Sequence, residues 1–302
     1  APTNVSSDSN LLTVASGRAV QRSLSLAFEK LSIEGANTDG AEATVTLSLA
    51  DRQGNPVPPG TQVNFVSESG VILPAVCFVP PVTPATASSP AIPTSSCTVK
   101  IRSQGARTAN GRVSVLAYVE GEEDFVDVSG DNIHNTNEPF NDLGRAFRDD
   151  NGNAVLGANG VYDTGEFQVP RVNVSACTAA AGCVGDGVWG AADVRAQGTI
   201  IFATSGAVIR GAIAGNALNF TIADGNGNSM PTGSTVEVTG AVGNSSGSWL
   251  TCNIQSNSSF AIANTVAPTI TSSQFLCDSG DILTVKVTSP IGVTTSQGFI
   301  VP

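Results

Sequence analysis

Twelve of the twenty-five carboxylates in this 302-residue chain fall between Glu120 and Glu166, and several side chains there are spaced to hold a cation. Asp127, Ser129, Asp131, Asn135 and Glu138 stand at positions 1, 3, 5, 9 and 12 of a twelve-residue loop, with the Ile133 carbonyl at position 7. Calcium takes about six to eight oxygens, and a coiled loop that turns an oxygen inward at alternate residues and ends in a bidentate Glu supplies them. A second copy follows if an insertion is allowed: Asp149, Asn151 and Asn153, six extra residues, then Gly160, Val161, Tyr162, Asp163 and a closing Glu166. Magnesium suits such loops less well, because it prefers a small octahedral shell and keeps its waters. Asn132 replaces the Gly that usually makes the sharp turn, and Asn is the next best residue for a left-handed backbone. Arg145 and Arg148 are the only Lys or Arg in the block. So many carboxylates repel one another unless a cation neutralises them or the segment stays solvated. The plainer alternative is that Asp, Asn and Gly are turn formers in a polar excursion that binds nothing.

Other chemistry is scarce. A single histidine, His134, removes most Ser/His/Asp and Cys/His arrangements, and inside the first loop its side chain is expected to be solvated. Glycines occur at turns, not in a phosphate-cradling loop after a strand. Glycoside hydrolysis needs two differently tuned acids, whereas pairs such as Glu122 and Asp124 look equally solvated. The chain is therefore expected not to be an enzyme, and Trp189 and Trp249 are read as packing residues more than as exposed binding aromatics.

The elements that position the block follow from composition. A net charge of −11 and a pI near 4.4 argue against nucleic acid and anionic membranes as partners. Charged residues make up only 13%, and long helix-forming side chains are few, which is the balance of an all-β extracellular protein. No apolar run reaches the roughly 18 residues of a membrane span, so no transmembrane segment is expected. The first residue is Ala1 and Met230 is the one methionine, so the chain reads as a secreted product, extracellular or at a cell surface, whose signal peptide has been removed. Six cysteines permit about fifteen connectivities. Their places in the repeat described next favour the sequential pairs Cys77 with Cys97, Cys177 with Cys183, and Cys252 with Cys277.

ATVTLSLADRQGNPVPPGTQV at 43–63 and ALNFTIADGNGNSMPTGSTV at 217–236 align without a gap from Ala50 and Ala223 onward. Asp51 matches Asp224, Gly54 Gly227, Asn55 Asn228, Pro58 Pro231 and Gly60 Gly233. Each is an alternating run, a turn and a second alternating run. Further alternation at 24–33, 98–102, 113–119, 199–209, 282–287 and 293–301 brings each repeat to about seven strands, the pattern of an immunoglobulin-like sandwich. The expected fold is all-β: two tandem immunoglobulin-like β-sandwiches, the first with the acidic calcium-loop insertion in its last hairpin. Cys77–Cys97 and Cys252–Cys277 would then be one bridge in two copies.

The turn ADRQGNPVPPGTQVNF resembles bacterial Ig-like domains of the invasin and intimin type. The run YVEGEEDFVDVSGDNIHNTNEPFNDLGRAFRDDNGN, followed by GVYDTGE, resembles an acidic insert of some secreted bacterial Ig-like proteins. The resemblance covers most of the chain and implies a surface or extracellular protein with Ig-like modules and calcium loops. The expected organisation is an N-terminal extension at 1–22, domain one at 23–175 with its insert at 120–166 and a return strand at 166–174, a disulfide-capped linker at 176–193, and domain two at 194–302. An insert so placed would lie near the following domain, where calcium would stiffen the junction. The extension is either a flexible leader or a donated strand, with Leu11, Thr13 and Ala15 on one face and Leu12 and Val14 on the other. The functional expectation is a calcium-stiffened structural protein of a surface filament, sheath or adhesin, associating with itself or with neighbouring surface proteins. The alternative is a recognition module that binds a glycan or host protein through its end loops.

Overall fold

The computed structural model describes residues 17–81, 95–150, 159–243 and 251–302. Nine strands build the first domain: β1 (Leu24–Phe28), β2 (Ser32–Ile33), β3 (Glu42–Leu49), β4 (Gln62–Ser67), β5 (Val71–Leu73), β6 (Val76–Phe78), β7 (Ser96–Arg102), β8 (Arg112–Glu122) and β9 (Ala191–Phe202). They form two sheets, ordered β1-β3-β7-β5 and β2-β9-β8-β4-β6. Every second residue of β3 and β8 faces the other sheet, so Val45, Leu47 and Leu49 meet Val113, Val115, Ala117 and Val119 in one core. Each Val or Leu among them contributes roughly 1.5–3 kcal/mol through burial. The second domain repeats the plan with β10 (Val208–Ala214), β11 (Ala217–Ala223), β12 (Thr235–Ala241), β13 (Asn253–Ile254), β14 (Ser259–Ala261), β15 (Thr269–Leu276), β16 (Ile282–Thr288) and β17 (Thr294–Ile300). Its sheets run β10-β11-β15-β13 and β14-β12-β16-β17. Among the described residues, no helix is long and apolar enough to cross a membrane.

The repeated turn has one geometry in both copies. Asp51 Oδ1 accepts from the amides of Gln53 and Asn55 at 3.0 and 2.8 Å, and Asp224 Oδ1 accepts from Asn226 and Asn228 at 2.9 and 2.8 Å. Gly54 and Gly227 both take φ +83°, a left-handed conformation that a side chain would strain.

The strand that returns from the insert is Ala191–Phe202, not 166–174. It pairs with β8 from Glu122↔Ala191 to Arg112↔Ile201, and Val194, Ile200 and Phe202 fill the first core. Residues 176–190 therefore belong to the insert, and the second domain begins beyond Phe202, not at 194. The expected boundary failed because the Ala- and Gly-rich stretch before Ala191 looks like a linker by composition, while the pairing partner of β8 lies about seventy residues away in sequence. The described part of the extension also belongs to domain one: Ala19 and Val20 are fully buried, and the Ala19 carbonyl accepts from the Glu122 amide at 2.9 Å.

The cysteines pair sequentially. The two long-range bridges are not copies of each other, however. Cys77–Cys97 joins β6 of one sheet to β7 of the other, whereas Cys252 and Cys277 flank β13 and β15, neighbours within one sheet. Cys97 is near the start of β7, but Cys277 lies just past the end of the equivalent strand β15.

Candidate metal-binding insert

The insert leaves β8 at Glu122, beside Val20 and the Asp51 turn. Domain two follows from the other end of the sandwich, where Asn228 Nδ2 donates to the Asn110 carbonyl at 2.7 Å and Arg112 donates to Asn228 Oδ1 at 3.1 Å. The root of the insert is thus opposite the junction, and the expected calcium-stiffened junction is replaced by direct hydrogen bonds between the domains. The strand directions decide this, since β8 runs away from domain two and β9 returns toward it.

Within the insert, the first loop is closed by an antiparallel bridge between Phe125 and Phe140, two residues outside Asp127 and Glu138. Asp127 Oδ1 accepts from the Gly130 amide at 2.6 Å, and Asp127 Oδ2 from the Asn132 amide at 2.9 Å. Asn132 takes φ +63°, the left-handed turn expected of it. Glu138 reaches back across the loop, accepting from the amides of Val128, Ser129 and Asn135 at 2.7, 2.9 and 3.0 Å. Asn135 Nδ2 lies 3.2 Å from Ser129 Oγ, 3.4 and 3.2 Å from the Asp131 carboxylate oxygens, and 3.1 Å from the Ile133 carbonyl. Oxygens of positions 3, 5 and 7 therefore converge on the Asn135 amide at position 9, and position 1 joins them through a 3.4 Å contact of Ser129 Oγ with Asp127 Oδ1. The Ser129, Asp131 and Ile133 atoms gathered there are hard oxygens, as are those of Asp127 and Glu138, and such oxygens suit calcium and not a softer metal. Among the described residues, the one trio of His, Cys, Asp or Glu with converging ligand atoms is Cys252, Cys277 and Asp281, whose sulfurs are joined in a disulfide.

The second loop repeats this framework. Its closing bridge joins Phe147 and Gln168, again two residues outside the terminal carboxylates. Asp149 Oδ2 accepts from the Gly160 amide at 2.6 Å, and Glu166 accepts from the Asp150 and Asp163 amides at 2.7 and 2.9 Å. Asn159 accepts from the Val161 amide at 2.7 Å and donates to Asp163 at 3.3 Å, the place held by Asp131 in the first loop. The expected Asn151 and Asn153 lie outside the described residues. Asn159 was missed, although the segments 131–138 (DNIHNTNE) and 159–166 (NGVYDTGE) align residue for residue. That alignment puts the extra residues before position 5, not after it.

The domain holds the insert with residues that spacing alone did not single out. Leu116 and Ser114 point outward from β8 yet are buried: Leu116 packs with Ala146 and Val169, and Ser114 Oγ donates to the Asp149 carbonyl at 3.2 Å. On β9, the Gln197 side chain both accepts from the Asp149 amide and donates to its carbonyl, at 2.9 and 2.6 Å. Arg195 lies 3.6 Å over the Phe147 ring and donates to the Phe147 carbonyl, and burial lowers its pKa against the pull of Asp149 and Glu166. Cys177–Cys183 packs with Phe147 and Tyr162 under the second loop. At the first loop, Arg52 and Gln53 of the repeated turn donate to Asn132 Oδ1 at 3.1 and 3.2 Å, and Arg52 covers Phe125 at 4.0 Å. His134 is not a solvated side chain: its ring stacks on Trp189 at 4.8 Å between Phe125 and Phe140. Trp189 packs as expected, donating to the Glu123 carbonyl at 2.9 Å.

Charge is managed differently in the loop and at its root. Burial raises the pKa of Glu122, Glu123 and Asp193, while hydrogen bonds lower those of Asp131, chiefly from the Ile133 amide, and Glu138, chiefly from the Ser129 amide. Glu138 is only 6% exposed, but it lies in the outer shell with little protein over it, so these amides outweigh desolvation. Depressed carboxylates contribute order that is complete above their unfolded pKa and is lost as pH falls through the folded value. The downfield amide signals of Val128, Ser129 and Asn135 are therefore expected to collapse with a midpoint below that of an ordinary solvated Glu. A midpoint at or above that of an unperturbed Glu would mean that these bonds do not favour the charged form.

Fold and insert together define the class, a tandem of Ig-like β-sandwiches carrying a two-loop insert. Among solved structures, the chain is similar to the Yersinia pseudotuberculosis adhesin InvE, with 14% identity over 94% of this chain and 60% of that one and a TM-score of 0.26. It is also similar to a C-terminal 282-residue fragment of intimin solved with the intimin-binding domain of the translocated intimin receptor (10% identity, 92% and 63% coverage, TM-score 0.29). The D0-D1 domain of intimin matches with 13% identity, 91% and 97% coverage, and a TM-score of 0.25. The chain spans about three fifths of the length of the first two. No family model and no curated protein matches the sequence.

Proposed function

We propose that the chain is a non-enzymatic extracellular protein with an Ig-like tandem, the first sandwich of which is stiffened by calcium in the insert, and that it serves in a surface filament, sheath or adhesin. The observation that supports this reading is the convergence of loop positions 3, 5 and 7 on Asn135 at position 9, with position 1 beside them, on a framework used twice. Asp127, Ser129, Asp131, the Ile133 carbonyl, Asn135 and Glu138 would hold one ion. Asp149, Asn159, the Val161 carbonyl, Asp163 and Glu166, with Asn151 or Asn153, would hold the second. Stiffening acts on the insert and on the face of β8 and β9 beneath it. Three disulfides suit an oxidising compartment outside the cell. A ligand at a hundredfold excess over its dissociation constant stabilises the folded state by about 3 kcal/mol. Calorimetry is expected to give a higher Tm in calcium than in chelator, with the difference lost in the Glu138→Gln, Glu166→Gln double variant. Equal melting curves in both conditions would leave the insert a hydrogen-bonded loop pair with no ion.

One observation favours the recognition reading: a cavity of about 420 Å³ lies between the first loop and the repeated turn, walled by Arg52, Glu122, Phe125, His134 and Trp189. Aromatic faces beside charged groups suit a sugar or a peptide side chain. Chemical shifts of the Trp189 indole on titration with such ligands test it, and an unmoved signal across a broad panel removes it.

A further inference from the structure

β17 is an edge strand, and its pairing with β16 is its only one among the described residues. The Val301 amide donates to Asp281 and the Val301 carbonyl accepts from Gly280, so odd-numbered residues turn toward β16. The amides of Thr294, Ser296, Gly298 and Ile300 consequently point away from the sheet. TTSQGFI has no charge and no proline, the devices that usually protect a free edge. At its end, Ile300 is 71% exposed beside its direct partner Ile282 at 40%. In domain one the matching residue Ile201 is fully buried, and the edge of β9 there is met in parallel by β2 at Ile201 and Phe202.

We propose that the free edge of β17 receives the segment 1–16 of a second copy as a parallel strand; this deepens the structural-protein reading and rests on it. The internal repeat identifies the occupant. The chain enters each domain past the buried Asp of the repeated turn: Gly17 lies against Asp51, and the Thr204 amide donates to Asp224 Oδ2 at 3.2 Å. A second copy following domain two as domain two follows domain one would bring its residue 17 beside the end of β17. Its preceding residues would then run alongside that strand in the same direction. They also carry the pattern of a terminal strand: LLTVASG at 11–17 parallels IIFATSG at 200–206. Sixteen residues reach about 50 Å when extended, ample for a strand as long as β17. Contacts of this head-to-tail kind propagate unless the rotation closes a ring.

Two full-length variants separate donor from acceptor. Ser296→Pro removes an outward amide without touching the β16 ladder, and Val14→Pro interrupts the donated segment. In sedimentation experiments in calcium, the unaltered chain is expected to form oligomers and each variant to remain monomeric. An equimolar mixture is expected to stop at 1:1 dimers, because one variant retains the donor and the other the acceptor. Near-UV circular dichroism of each variant establishes that it is folded, and Ile300→Lys blocks the same edge should Ser296→Pro unfold the domain. A monomeric unaltered chain, undiminished assembly by either folded variant, or a mixture that stays monomeric overturns the proposal. None of these outcomes bears on the calcium calorimetry.

Discussion

Leu116→Ala is expected to destabilise the first domain by about 2–5 kcal/mol, the cost of a large-to-small change in a packed core. On an uncovered sheet face the same change would cost within about 0.5 kcal/mol. Leu116 points away from the sandwich core and is nevertheless fully buried, because Ala146 and Val169 of the insert lie over it. The hydrogen bonds of Ser114 and Gln197 to Asp149 flank it, so the cavity should also loosen the second loop. Thermal or urea unfolding followed by hydrogen exchange at Gly160 and Asp163 checks both effects. A change below about 0.5 kcal/mol with unaltered exchange would mean that the insert does not rest on this face.

The second large effect concerns the disulfides. Loop-closure entropy assigns about 3 kcal/mol to a bridge spanning about twenty residues and about 2 kcal/mol to one spanning six. The paired variant Cys77→Ser with Cys97→Ser, separated by 20 residues, should therefore lose more stability than Cys177→Ser with Cys183→Ser, separated by 6. The losses should also differ in kind. Cys77–Cys97 ties the two sheets together, so its removal should lower the Tm of the whole first domain. Cys177–Cys183 packs on Phe147 and Tyr162 within the insert, so its removal should weaken the second loop and leave the sandwich intact. Calorimetry of the two double variants measures the ranking, and equal whole-domain losses would contradict it.

Alternation, turn chemistry and spacing are local properties, and wherever the structure depends on them they were readable. Asp51 and Asp224 build the same turn because Asp, Gly and Asn close it through their own amides. Asp127 to Glu138 curls as its spacing implies because its contacts lie within the twelve residues of the loop itself. The cysteines pair sequentially as expected, although the repeat that suggested it does not hold for the bridges, because whether a pair joins two sheets or neighbours in one depends on which strands end up adjacent.

Tertiary structure alone decided the partners that lie far apart in the chain. The return of β9 to β8 across the insert was hidden by a glycine-rich stretch that imitates a linker. Arg195 and Gln197 look like ordinary outward residues of a strand until the second loop folds over them. His134 reads as a solvated loop residue until Trp189, more than fifty positions later, supplies the surface it stacks on. The end of the sandwich from which the insert grows depends on strand direction, a property of the assembled sheet, and that placed the insert opposite the junction. Asn159 lies between these cases: its spacing was legible, but an insertion of free length slides along a sequence without penalty, and only the hydrogen bonds to Val161 and Asp163 pin its position.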